Sequence, residues 1–127
     1  MRVSREQFEK MVASSAAAVI RSLPDDLRER ARQVIIAAEE RPSREQEENA
    51  DEGEGDLLGL YEGTPLVERR IEDTYSGPDR ITLFRIPLLE ICGSMKELRE
   101  EIRITIIHEL GHYFGFGEEE LERRGLG

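Results

Sequence analysis

The sequence predicts a single α+β domain spanning residues 1–127, with a small mixed sheet backed by an N-terminal helix and by a long helix near the C-terminus. Three observations predict it. Phe8, Met11, Val12, Ala16, Val19 and Leu23 recur at helical spacing behind Ser4. Met95, Leu98, Ile102, Ile106 and Leu110 form a second such stripe behind Ser94. Between them lie three short apolar runs that are too short for helices and are bounded by Gly, Pro and Asp. A chain of 127 residues buries roughly two thirds of its unfolded surface, so one core suffices without a disulfide.

Each element follows from local chemistry. Ser4 with Gln7 three residues later is a capping box, which predicts a helix over 4–22. Pro24 ends it, and Asp25 is expected to cap a short helix over 26–32. The run 33–38 is β-branched enough to read as a strand, the alternative being that the same residues extend that helix. Residues 39–56 are dominated by Glu, with Ala50 as the only apolar side chain, so 42–56 is expected to be a mobile acidic loop. Strands are expected at 57–62 and 81–86, separated by turn signals at Gly63-Thr64-Pro65 and Ser76-Gly77-Pro78-Asp79. Ser94 and Glu97 form another capping box for a helix over 94–115, and a last short helix is expected over 119–124.

Composition removes several function classes. The formal net charge is −10 and the isoelectric point is near 4.8, the wrong electrostatics for a phosphate backbone, so no nucleic-acid partner is expected. The longest uncharged run, 11–20, is too short to span a bilayer and too rich in Ala and Ser for a signal segment. No membrane partner is expected either. Cys92 is the only cysteine, which rules out an intramolecular disulfide and a cysteine-based zinc knuckle. Together these features predict a cytoplasmic protein.

The chemistry concentrates in one place. The two histidines of the chain are His108 and His112, in the run His108-Glu109-Leu110-Gly111-His112 near the end of the predicted long helix. Four residues apart on a helix puts both imidazoles on one face, where they can share a zinc ion. Glu109, offset by about 100°, is then beside the ion as a general base for an activated water. For two histidines in a chain with this glutamate content, chance produces the pattern at about 0.3%.

A third protein ligand must be a carboxylate, because no further His and no suitable Cys exists. Gly115, three residues after His112, can turn the chain left-handed and bring the segment beginning at Glu118 back towards the metal. Glu118 is the first candidate, and Glu119 and Glu122 stand in reserve.

The run from His108 to Glu118, together with Gly59-Leu60-Tyr61-Glu62-Gly63-Thr64-Pro65-Leu66 and Pro78-Asp79-Arg80-Ile81, resembles the bacterial minimal zincins, small zinc metallopeptidases with an HExxHxxGxxD signature. The resemblance extends over residues 57–121. It implies a minimal zincin-like domain in which His108 and His112 bind zinc, Glu109 is the catalytic base, and Glu118 stands at the family's Asp position, one methylene longer. Metzincins differ by a third His and a downstream Met-turn, and this chain has no His after His112 and no Met after Met95. Thermolysin-like enzymes draw a Glu from a separate later helix, for which this chain leaves no room.

The function expected from these residues is zinc-dependent hydrolysis of peptide bonds, with Zn2+ as cofactor and a peptide or protein as substrate. The alternative is a catalytically weak or inactive zincin-fold binding or regulatory module. Retention of Glu109 favours the enzyme, since a structural zinc site needs no base. Tyr113 is a supporting residue for the metal shell or an oxyanion, or a core aromatic. Tyr61 lines a substrate groove if its strand is a sheet edge, or is an ordinary strand aromatic. Cys92 reads as a small buried hydrophobe. A homodimer is compatible with the sequence, which does not fix the oligomeric state.

Overall fold

The computed structural model describes residues 1–50, 57–68 and 78–125. Its elements, in chain order, are α1 (Arg5–Ser22), α2 (Asp25–Ala31), β1 (Ile35–Glu39), α3 (Arg44–Asn49), β2 (Gly59–Glu62), a single 3-10 turn (Leu66–Glu68), β3 (Arg80–Phe84), α4 (Arg85–Ile91), α5 (Met95–Phe114) and α6 (Glu118–Arg123). The sheet is mixed, in the order β1-β3-β2. β1 pairs parallel with β3, with Ile36 opposite Ile81, and β2 pairs antiparallel with β3, with Tyr61 also opposite Ile81. This is the expected α+β architecture.

The core forms where α1 and α5 cross one face of the sheet. Phe8, Val12, Ala16 and Val19 of α1 meet Leu98, Ile102, Ile106 and Leu110 of α5, and Ile81 and Leu83 close the layer from β3. Side chains alternate along a strand, so Leu60 and Phe84 face the other way and pack with Leu57 in a second, smaller cluster. The Ser4 capping box is present in both directions, with Gln7 N–H donating to Ser4 Oγ at 3.1 Å and Ser4 N–H donating to Gln7 Oε1 at 2.9 Å. At α5 only half of the expected box forms. Glu97 N–H donates to Ser94 Oγ at 3.1 Å, but the Glu97 carboxylate accepts from Gly93 N–H instead.

Several boundaries differ from the sequence expectations, each for a local reason. Pro24, not Asp25, is the N-cap of α2, so Asp25 is its first helical residue. The first strand starts two residues later than expected, at Ile35, because Gln33 and Val34 still bond back to the last turn of α2. The expected acidic loop contains α3, which buries none of its residues and is held by its own capping box, Ser43 with Gln46. The Glu-rich composition obscured a signal identical in kind to that at Ser4. The remainder of that loop, 51–56, lies outside the described residues. The third strand ends at Phe84, and α4 replaces its expected continuation, with Pro87 in the first helical turn where its missing N–H costs nothing.

Where α4 meets β1, the Arg85 guanidinium forks onto Glu40 at 2.6 and 2.7 Å and donates to the carbonyl of Val3 at 2.7 Å. That pair ties the N-terminus, the end of β1 and the start of α4 together. The Glu40 carboxyl is held below its ordinary range by this hydrogen-bonded partner, against the opposing effect of burial. Among the described residues no helix is long and apolar enough to cross a membrane.

Candidate metal centre

The last turns of α5 carry the site. Ser94 starts this helix and Gly115 ends it in a left-handed conformation, φ +82°, with its N–H and that of Phe116 donating back to the Gly111 carbonyl at 2.9 and 2.8 Å. A side chain at Gly115 would also collide with Val67, whose Cγ2 would lie 2.4 Å from the added carbon. The turn therefore requires glycine for both conformation and space. It sends the chain back along α5 as α6.

On α5, spacing of four brings the His108 and His112 rings to 4.7 Å between centroids. Their side chains are 39% and 44% exposed, whereas that of Glu109 between them is 3% exposed. His108 Nε2 lies 3.9 Å from Glu109 Oε2, and His112 Nδ1 lies 3.5 Å from Glu109 Oε1. One donor atom from each of the three residues falls within 4.8 Å of the others. Two half-exposed imidazoles on successive turns offer two of the nitrogen donors that zinc takes, and the anchored carboxylate lies beside them, so the residues present fit that ion.

The anchor of Glu109 comes from the sheet. The backbone N–H of Tyr61 in β2 donates to Glu109 Oε1 at 2.8 Å. That contact needs β2 close against α5, and Gly59 provides the approach: a side chain there would place its first carbon 2.5 Å from Thr105 Cγ2. Tyr61 is itself fixed at the other end, its hydroxyl donating to Asp79 Oδ1 at 2.7 Å, and Asp79 is buried. Gly63 leaves room for this bond, since an added carbon would lie 2.4 Å from that same carboxylate oxygen.

These contacts revise the roles read from the sequence. β2 is an edge strand, as the groove reading of Tyr61 requires, but its amide on that edge is directed to Glu109 rather than left for a peptide. Tyr113 is buried, with its ring edge-on to Tyr61 at 5.7 Å and its hydroxyl donating to the Arg30 carbonyl at 3.2 Å. Glu118, the first residue of α6, is exposed and lines a cavity that His108 also lines, but it lies outside the three-donor group. Glu119 and Glu122 follow on the same short helix. Cys92 is buried, and burial, followed by the nearby Glu101 and Glu97 carboxylates, pushes its thiol pKa up, away from the thiolate form.

Sequence alone assigns no site role to Gly59 or Asp79. Both stand in the runs that carry the resemblance, and Gly59 within a strand is itself a signal of close backbone approach.

Comparison with known proteins adds one finding. The family model described as zincin-like metallopeptidase matches residues 31–127, from the end of α2 through α6. No curated protein gives a match.

Proposed function

The chain belongs to the zincin-like metallopeptidase family, and from that premise we propose that it is a zinc-dependent peptidase with His108 and His112 as zinc ligands, Glu118 as the third and Glu109 as general base. The observation that carries this reading is the burial of the Glu109 carboxylate between two half-exposed imidazoles, with one oxygen held by the Tyr61 N–H at 2.8 Å. A site that only bound metal for structure would need no carboxylate held in this way.

Zinc, when bound, supplies Lewis acidity that polarises a peptide carbonyl and acidifies water. Everything else falls to the chain. The Tyr61 amide fixes Glu109 Oε1 and stabilises the ionised carboxylate, and Oε2, on the His108 side, is the atom assigned to take a proton from water. The same carboxyl can then return the proton to the departing amine. The hydroxyl of Tyr61, bonded to Asp79, keeps the end of β2 in register, so the anchoring amide stays in place. Glu118 would supply the third donor from α6, where it lines the same cavity as His108.

The test combines metal content with one substitution. Elemental analysis is expected to give one zinc per chain, and Glu109→Gln is expected to keep that zinc while hydrolysis of an unstructured peptide falls roughly 10²–10⁴-fold. Zinc-loaded parent protein that cleaves nothing in a diverse peptide library would instead favour the binding-module reading. Undiminished cleavage by zinc-loaded Glu109→Gln would remove Glu109 from the mechanism.

A further inference from the structure

A cavity of about 170 Å³ opens between α5 and α6, with His108 on one wall. Beside it, Gly111 lets α6 pack closely on α5. Leu121 of α6 seats over that glycine, its Cδ1 2.9 Å from where an added carbon would be, which brings α6 onto α5 without filling the space beside it. Ile104 and Ile107, on the same face of α5, supply the rest of an apolar floor together with Leu121.

The rim is charged, and its charges are not equivalent. Arg103 is closed on Glu100 by two hydrogen bonds, at 2.6 and 3.3 Å. The cations of α6 are also taken: Arg123 and Arg124 both pair with Glu120, and Arg124 reaches Asp26 as well. Glu122, on the rim, forms no ion pair among the described residues. The cavity therefore combines apolar side chains with Glu122, a carboxylate that has no cation partner among the described residues, while Glu118, the other carboxylate of its lining, is the one assigned to the metal. An aliphatic side chain would cover Glu122 without answering its charge, and an acidic one would be repelled. A side chain with a long apolar stem and a terminal cation satisfies both parts.

We propose that this cavity is the side-chain subsite of the peptide substrate next to the bond cleaved, and that it takes Lys or Arg, with the stem over Ile104, Ile107 and Leu121 and the cation at Glu122. This rests on the peptidase reading for its meaning, but its test does not depend on turnover. The probes are acetyl-Gly-Gly-X-Gly-Gly-amide peptides with X as Lys, Arg, norleucine or Glu, titrated into zinc-loaded Glu109→Gln protein while the Ile104 and Ile107 methyl signals are followed by NMR. Norleucine keeps the lysine stem and removes only the charge.

The Lys and Arg peptides are expected to move those methyl signals and to bind up to about fivefold tighter than the norleucine peptide, as an exposed ion pair allows, with the Glu peptide weakest. Glu122→Gln is expected to keep its zinc and to bring the Lys and norleucine peptides to similar affinity. Equal or tighter binding of norleucine by the parent, methyl signals that do not move at millimolar peptide, or loss of zinc from Glu122→Gln would each overturn the proposal. If the Lys preference is found and no peptide is cleaved by the parent, the cavity stands as a binding site for a Lys or Arg side chain and the peptidase reading fails.

Discussion

The backbone N–H of Tyr61 donates to the Glu109 carboxylate across the interface between an edge strand and the histidine-bearing helix, at 2.8 Å and 48 positions apart in sequence. A group suited to accept a proton is thereby fixed by the main chain, which no substitution at Tyr61 except proline can delete.

That bond distinguishes two substitutions of the same residue. A carboxamide oxygen at position 109 can still accept from Tyr61 N–H, whereas a methyl group cannot. Glu109→Ala is expected to be less stable than Glu109→Gln by about 1–3 kcal/mol, the cost of leaving a partly buried amide unanswered. Urea unfolding of both metal-free proteins measures the difference, and equal midpoints would show that the Tyr61 contact contributes nothing to stability.

The third ligand can be tested by comparing neighbours on α6. Glu118→Ala is expected to weaken zinc binding by more than the roughly 10–100-fold typical of groups that only support a ligand. Glu119→Ala and Glu122→Ala are expected to change it little. Competition titration with a chromophoric chelator gives all three affinities, and a uniform result would remove Glu118 from the ligand set.

Close approach of β2 to α5 depends on Gly59. An added carbon would lie 2.5 Å from Thr105 Cγ2 and 2.9 Å from Leu83 Cδ1, so Gly59→Ala is expected to destabilise the fold by about 1–3 kcal/mol through overpacking. Adding Thr105→Ser, which deletes that methyl group, is expected to recover part of the loss but not all, because Leu83 remains. Thermal unfolding of the single and double variants reads this out. No recovery at all would mean that Leu83, and not Thr105, sets the limit.

Acid stability should carry a contribution from Glu40. Its folded pKa lies below the ordinary value of 4.5, chiefly through its hydrogen bonds to Arg85. A depressed carboxylate contributes stability above its unfolded pKa and loses it as pH falls through the folded one, while Arg85, with its pKa raised, stays charged throughout. The stability gap between the parent and Glu40→Gln is therefore expected to be constant near neutrality and to shrink below about pH 4.5. Since the Glu40 side chain is 40% exposed, solvent screening keeps the gap at or below about 1 kcal/mol. A gap that widens in acid would contradict the assignment.

Sequence by itself determined the elements whose signals are local. The Ser4 box and the 3–4 stripe from Phe8 to Val19 specify α1, and Ser94 with the stripe from Leu98 to Leu110 specifies α5, because helix periodicity and capping are properties of residues within one or two turns of each other. The same locality made His108, Glu109 and His112 legible, since spacing of four on a helix is already a statement about space. Tertiary structure alone decided that β2 is an edge strand, that Tyr61 N–H turns to Glu109, that Gly59 exists to let Thr105 approach, and that Glu122 rims a cavity floored by two helices. Those relations join residues tens of positions apart, and their sign depends on which face of a strand or helix is turned inward. That choice is made when apolar stripes from distant segments bury one another, and no short window of the sequence contains both partners.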